Sequence, residues 1–274
     1  MREKPVGLAG VDLRLGYHGR RVVDGASIGI EPASVTALVG PNGSGKSTLL
    51  RALARLHRPE DGQVEFPDGS DALALSAKEF ARKVTLLSQS RPTPSGVSVR
   101  DVVGYGRHPY RGRWRNDDPD GNTAITNAMD VTGVTAMADR AVDELSGGEL
   151  QRVWLATCLA QDTGVLLLDE PTTFLDLRYQ IEILDLMRDL ADDHGVAVGV
   201  VLHDLNQAAA VADRVALLDR GRVRATGTPA EVLEAAALSE TYGIRIDVST
   251  DSATGLIATQ PVGRHLQRPA LQSS

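Results

Sequence analysis

Along this chain, short apolar runs alternate with segments whose apolar residues recur every three to four positions. Residues 35–39 (Val-Thr-Ala-Leu-Val) predict a strand that runs into a Gly-rich turn, and apolar positions at helical spacing follow over 47–56. Residues 84–88 read as a second strand. Residues 165–168 (Val-Leu-Leu-Leu) are continuously apolar, as expected of a strand buried on both faces. Ile181, Leu184, Leu186, Met187 and Leu190 then follow helical spacing, Gly195 stops that helix, and 196–202 form the next buried strand. Asp204 is placed to cap a helix holding Ala208 and Ala212, and 214–225 predict a hairpin turning at Asp219-Arg-Gly221. The alternation specifies an α/β sheet with helices packed on it. Residues 91–140 break the pattern: rich in Pro, Gly and Arg at first and then weakly helical, they read as a helical insertion in that core. The folded run extends from Ala9 to about Val262 without an internal repeat, and the last residues read as a frayed tail.

Composition narrows the function classes. At 274 residues and 42% hydrophobic content the chain can bury one large core or two small ones, which excludes disorder and fibres. A formal charge of −7 argues against bulk electrostatic binding of nucleic acid. The single cysteine, Cys158, excludes an internal disulfide framework and a Cys-cluster metal site, and suits a reducing compartment. No apolar run approaches the roughly 18–20 residues of a membrane span, and the N-terminus carries no signal-peptide pattern. A soluble, cytosolic protein is the expectation at this level.

The candidate chemistry begins at the turn after the first core strand. Gly40, Pro41, Asn42, Gly43, Ser44, Gly45, Lys46 and Ser47, followed by Thr48, match the P-loop pattern G-x-x-x-x-G-K-[ST] between a strand and a helix. The glycines let backbone N–H groups approach phosphate oxygens, and the helix N-terminus points its partial positive charge at the same anion. Lys46 is placed to bridge β- and γ-phosphates and Ser47 to ligate Mg²⁺. With only four lysines against 25 arginines, the use of Lys here fits a crowded cradle that a planar guanidinium does not. The carboxyl end of the 165–168 strand supplies Asp169 for the metal, through a water, and Glu170 to polarise an attacking water.

Six segments in order now resemble the ATPase subunits of ATP-binding cassette (ABC) transporters over nearly the whole chain. Leu145, Ser146, Gly147, Gly148 and Glu149 resemble the signature motif, with Glu in place of the usual Gln at its fifth position. Gln89 matches the Q-loop glutamine that senses Mg²⁺ and the nucleophilic water; His203 matches the switch histidine that contacts the γ-phosphate. Asp176 matches the D-loop aspartate that communicates across a dimer, and Tyr17 the aromatic that stacks on adenine, a buried edge tyrosine being the plainer reading of the latter. The resemblance implies an α/β fold: a RecA-like P-loop NTPase core with an N-terminal antiparallel β subdomain and an inserted α-helical subdomain over roughly 91–160. It implies one domain over 1–265 with a flexible tail over 266–274.

The assembly implied is a head-to-tail pair of this chain, each ATP lying between the P-loop of one copy and the signature motif of the other. Transmembrane permease subunits, and indirectly a substrate-binding protein, complete the transporter, with the ATPase peripheral on the cytoplasmic face of the membrane and no nucleic acid involved. Three stretches resemble importers of the ferric-siderophore, haem and vitamin B12 group: Pro171-Thr-Thr-Phe-Leu-Asp-Leu-Arg-Tyr-Gln180, Leu202-His-Asp-Leu-Asn-Gln-Ala208 and Gly106-Arg-His-Pro-Tyr-Arg111. Siderophores are the substrate they most resemble, with haem and vitamin B12 as alternatives. A soluble ABC protein acting on nucleic acid or ribosomes is a further alternative, disfavoured by the single cassette and the acidic charge. The stretch 100–115 sets Arg100, Arg107, Arg111, Arg113 and Arg115 against Asp101, and reads either as a dock for permease helices near anionic lipid or as a solvated loop.

Overall fold

The computed structural model describes residues 6–89, 92–111 and 118–263. In chain order its strands and helices begin with β1 (Leu8–Tyr17), β2 (Arg20–Ile30), β3 (Ser34–Val39), α1 (Lys46–Leu53), β4 (Asp61–Glu65), α2 (Ala77–Ala81) and β5 (Val84–Leu87). Helices α3 (Val99–Gly104), α4 (Gly121–Val131) and α5 (Gly147–Ala160) follow, then β6 (Val165–Asp169), α6 (Leu177–Asp192), β7 (Ala197–Val201) and α7 (Leu205–Val211). The chain continues through β8 (Arg214–Asp219), β9 (Arg222–Gly227), α8 (Pro229–Val232), α9 (Ala235–Tyr242), β10 (Ile246–Thr250) and β11 (Ile257–Pro261).

A six-stranded sheet in the order β5-β6-β7-β3-β8-β9 is parallel except for the β8–β9 hairpin. Its parallel strands are apolar on both faces because both are covered. Val35, Ala37 and Val39 of β3 join Leu166 and Leu168 of β6, Val198 and Val200 of β7, and Ile183 and Met187 of α6 in one cluster. Leu38, Leu167 and Val201 point the other way, against Leu49, Leu50 and Leu53 of α1. Full burial of each Val, Leu, Ile or Met side chain among these stabilises by about 1.5–3 kcal/mol. Residues 99–160 have a third cluster of their own, in which Val99, Val102 and Val103 of α3 and Met129 of α4 meet Val153 and Ala156 of α5.

The N-terminal strands make a separate antiparallel sheet, β2-β1-β4. Alternation in β1 changes phase where the register shifts between Gly10 and Leu13: Leu8 and Gly10 are buried before the shift, Leu13 and Leu15 after it, and Asp12 takes φ +50. A bulge of this kind hides a strand from any period-2 reading. The predicted hairpin is present, with Arg220 (φ +47) and Gly221 (φ +80) forming its left-handed turn. Residue 221 has no room for a side chain, since a Cβ there would lie 2.3 Å from the Val22 carbonyl oxygen.

One member of the basic stretch departs from the sequence reading. Arg107 is 3% exposed; its Nε and Nη2 donate to the two oxygens of Asp118 at 2.9 and 2.7 Å, and its Nη1 donates to the Ala160 carbonyl at 3.0 Å. The pair holds Asp118 below the usual carboxylate range and raises Arg107. Arg107 therefore ties α3 to α5 from inside and is not part of a docking surface. Arg100 is exposed and Arg111 donates to the Gly104 carbonyl at 3.0 Å, while Arg113 and Arg115 lie outside the described residues, as do the tail residues 266–274. Arg107→Ala is expected to cost about 3–5 kcal/mol of stability, because it leaves the mostly buried Asp118 charge unpaired. Chemical denaturation of the two proteins measures it, and a difference under about 1 kcal/mol would contradict the assignment.

Candidate nucleotide site

Because β3, β5, β6 and β7 run parallel, their carboxyl ends share one edge of the sheet. Leu38 pairs with Val201, Val201 with Asp169, and Leu87 with Leu168, so the segments following these strands emerge side by side. That edge gathers residues 40–48, Gln89, Asp169, Glu170 and His203. In open α/β sheets this is where ligands bind.

The P-loop backbone needs its glycines. Gly40, Gly43 and Gly45 have φ of 143°, 76° and 103°, and a Cβ at residue 40 would stand 2.1 Å from the Leu218 carbonyl oxygen. The β8–β9 turn braces the loop from outside, with Gly221 N–H donating to the Ser44 carbonyl at 2.9 Å. Lys46 is 5% exposed and its Nζ donates to the carbonyls of Gly40 at 2.7 Å and Pro41 at 3.0 Å. Burial lowers its pKa, while the charges of Glu170 and Asp169 act to raise it. A cavity of about 140 Å³ opens here, lined by Val22, Asn42, Gly43, Gly45, Lys46, Ser47, Thr48 and Glu170.

Asp169 is 1% exposed. One oxygen lies 3.4 Å from Nη2 of Arg51, a residue one turn beyond Ser47 on α1; the other, Oδ1, has no hydrogen-bond partner. A buried, unpartnered carboxylate oxygen beside a P-loop Ser is the donor set a hard divalent cation takes, so these residues fit Mg²⁺. Glu170 follows with φ +57, a left-handed conformation costing about 1–3 kcal/mol in a non-glycine residue. Its two oxygens are held from opposite sides: Gln89 Nε2 donates to Oε2 at 2.6 Å, and His203 Nε2 lies 2.6 Å from Oε1. Two residues predicted from separate segments, Gln89 and His203, thus converge on the carboxylate of a third, Glu170.

The signature segment lies elsewhere. Ser146 caps α5, its Oγ accepting from Glu149 N–H at 3.3 Å while the Glu149 carboxylate accepts from Ser146 N–H at 2.8 Å. Those bonds and Arg140 hold the Glu149 carboxyl below its usual range. A capping box accepts Gln or Glu, which explains how Glu149 replaces the more common Gln. The two glycines differ in cause. A Cβ at 148 would enter the Tyr179 ring at 2.5 Å, whereas one at 147 meets nothing within 4 Å. Leu145 packs with the helical cluster, and none of these five residues lines the P-loop cavity.

Tyr17 ends β1, 41% exposed and outside the cavity lining, with its ring 4.4 Å from that of His57. It is not the buried edge tyrosine of the plainer reading. Asp176 is the N-cap of α6, accepting from Tyr179 N–H at 3.1 Å. Beside it Phe174 (97% exposed, φ +64), Leu177 and Ile181 are exposed apolar residues; Ile181, which helical spacing grouped with Leu184, Met187 and Leu190, lies off the buried face that those residues make. Arg51 and His57 were also missed, since neither residue type stands out without its neighbour in space.

The ABC transporter family model matches residues 23–173. The chain belongs to the ABC transporter family. It is 42% identical over 267 residues to the ferric enterobactin transport ATP-binding protein FepC of Escherichia coli (strain K12), covering 96% of this chain and 97% of that one. To the iron(3+)-hydroxamate import ATP-binding protein FhuC of Bacillus subtilis (strain 168) it is 38% identical, over 88% and 90% of the two chains. Among solved structures, a chain of a metal-chelate type ABC transporter in an inward-facing conformation superposes with a TM-score of 0.82 at 25% identity, covering 95% and 99%. The ABC fold expected from the sequence, with an antiparallel β sheet beside a parallel core and an inserted helical part, is the fold observed. This ABC transporter chain is an ATPase whose hydrolysis is coupled to transport. No helix among the described residues is long and apolar enough to cross a membrane.

Proposed function

We propose that this ATPase drives the import of ferric siderophores, working as a head-to-tail pair on the cytoplasmic face of the cell membrane. Its partners are transmembrane permease subunits and, through them, a substrate-binding protein. The observation that carries the reading is end-to-end similarity to subunits of enterobactin and hydroxamate systems, which extends well beyond the nucleotide motifs.

The residues take the following roles. The backbone N–H groups of residues 40–48, all but Pro41, cradle the ATP phosphates, Lys46 neutralises their β and γ oxygens, and Tyr17 stacks on adenine. Ser47, Gln89 and Asp169 hold Mg²⁺, which when bound neutralises charge developing on the transferred phosphoryl group. The orphaned Asp169 Oδ1 supports that assignment. Glu170 takes the proton of the attacking water, and Gln89 and His203 fix the orientation of its carboxylate; His203 also reaches the γ-phosphate. Residues 145–149 serve the nucleotide of the second copy. Their distance from the local P-loop cavity and the open space at Gly147 favour this, and the exposed patch at Phe174, Leu177 and Ile181 beside Asp176 supplies apolar area for the pair to bury.

The test is affinity capture of the permease followed by reconstitution in liposomes with the cognate binding protein. A ferric catecholate or ferric hydroxamate is expected to stimulate ATP hydrolysis. Stimulation by haem or cobalamin alone would move the substrate assignment to those systems.

A further inference from the structure

The two segments that most resemble siderophore importers in sequence, 171–180 and 202–208, are joined in space by side-chain amides. Thr172, 8% exposed, donates its hydroxyl to Gln207 Oε1 at 3.0 Å. Gln207 Nε2 donates to Gln180 Oε1 at 2.8 Å, and Gln180 Nε2 donates to the Leu175 carbonyl at 3.0 Å. Every polar atom in this run points the way its neighbour requires: hydroxyl to amide oxygen, amide nitrogen to amide oxygen, amide nitrogen to carbonyl. The run closes the turn that carries Asp176 onto α7, one turn beyond His203.

Further contacts anchor the same two segments. Asp204 caps α7 through the N–H groups of Asn206 and Gln207, at 2.7 and 3.2 Å. Gln151 of α5 donates to the Pro171 carbonyl at 3.0 Å, and the Tyr179 ring fills the space that a side chain at Gly148 would need. The helix beginning at the signature segment, the Asp176 turn and the segment that carries His203 are therefore bonded or packed in series. Helix α7 packs Leu205, Ala208, Ala209 and Val211 into the core and is tied to β11 through Asn206 and Thr259; the Thr172–Gln207–Gln180 run adds the bonds that join it to the Asp176 turn.

We propose that Gln207 is a positioning residue, whose bonds to Thr172 and Gln180 make the Asp176 turn and the His203 segment move as one body, so that a displacement at one displaces the other. It touches no reacting atom and acts through His203 and, beyond it, Glu170. The proposal rests on the roles given above to those two residues and on the pairing of two copies. Linked polar groups of this kind are worth more together than pairwise deletion suggests, so a double-mutant cycle is the fitting measurement.

Gln207→Leu keeps the volume and removes both bonds. With turnover normalised to the fraction of protein that binds nucleotide, kcat is expected to fall about tenfold, near 1.4 kcal/mol of barrier, while ATP affinity stays within about twofold. Thr172→Ser should retain wild-type kcat, and Thr172→Val combined with Gln207→Leu should be no slower than Gln207→Leu alone. A purely structural role would lower the binding-competent fraction and the melting temperature but leave normalised kcat in place. Normalised kcat within twofold of wild type in Gln207→Leu, or losses that multiply in the double variant, would overturn the proposal. Where Gln207→Leu does not fold, Thr172→Val alone carries the test, with a kcat loss of at least about threefold expected and a smaller one counting against it. Glu170→Gln measured in parallel separates the two ideas: normal turnover there sinks the functional reading itself, whereas loss there with an intact Gln207→Leu sinks only the positioning role.

Discussion

Glu170→Gln is expected to bind ATP as wild type does and to hydrolyse it about 10²–10⁴ times more slowly, a barrier increase of roughly 3–5 kcal/mol. The substitution preserves shape in a site where shape is demanding. Glu170 sits in a left-handed backbone conformation with its side chain 12% exposed, bonded to Gln89 on one oxygen and close to His203 on the other. An amide can keep one of these bonds with its oxygen, and the other neighbour can adapt, Gln89 by flipping its amide or His203 by changing tautomer. What an amide cannot do is take a proton from water. Binding contacts at the P-loop are untouched, so the nucleotide stays and the cycle stops before hydrolysis. Two measurements check this: steady-state phosphate release, and size-exclusion chromatography with ATP, in which the variant should accumulate as a closed pair. Turnover within threefold of wild type would falsify the role of Glu170.

Lys46→Ala is expected to weaken ATP binding about 100-fold or more, near 2.7 kcal/mol. The ammonium is buried beside four groups that make it hard to replace: the Gly40 and Pro41 carbonyls that accept from it, and the carboxylates of Glu170 and Asp169, whose charges act on it. Its loss leaves two carbonyls without a donor and two carboxylates facing the place where polyphosphate must sit. Repulsion is then added to the missing attraction, at an effective dielectric well below that of water. Lys46→Arg should fail as well, since a planar guanidinium does not fit between the two carbonyls. Equilibrium titration with a fluorescent ATP analogue reads both variants. An affinity for either variant within twofold of wild type would show that Lys46 is not the phosphate contact.

Much of the site was legible because its signals are local. Gly40 to Ser47 form a loop whose backbone angles only glycine satisfies at three positions, so the pattern survives as a contiguous string. Asp169 and Glu170 are adjacent, and the continuous apolarity of 165–168 marks their strand as buried. Gln89 and His203 were different: nothing in their own neighbourhoods distinguishes them, and only resemblance to the family singled them out. Their meeting on Glu170, 81 positions from Gln89, follows from β5, β6 and β7 lying side by side and parallel although long helical segments separate them in the chain. Local periodicity carries no information about that order.

Other features failed to appear in the sequence for equally specific reasons. The strand β1 was obscured by its bulge, which reverses the phase of burial between Gly10 and Leu13. Arg107 looked like one member of a basic surface because charge counts are blind to burial; Asp118, eleven positions on, takes it inside. The necessity of Gly148 depends on Tyr179, and the tie between α7 and the Asp176 turn on Thr172 and Gln180, each more than twenty-five positions from its partner.

The sequence by itself determined the kind of chemistry, since phosphate binding and metal-assisted hydrolysis need particular atoms at fixed short spacings, and those spacings are written in contiguous residues. It also determined the alternation of strands and helices, because burial on two faces leaves a continuous apolar run and burial on one leaves a periodic one. Only the tertiary structure decided which distant side chains share a carboxylate, which arginine is buried, and which amides join the turn at Asp176 to the helix after His203. Those are choices among long-range pairings, made by the packing of helices on the two faces of the sheet rather than by any preference of the residues for their neighbours in the chain.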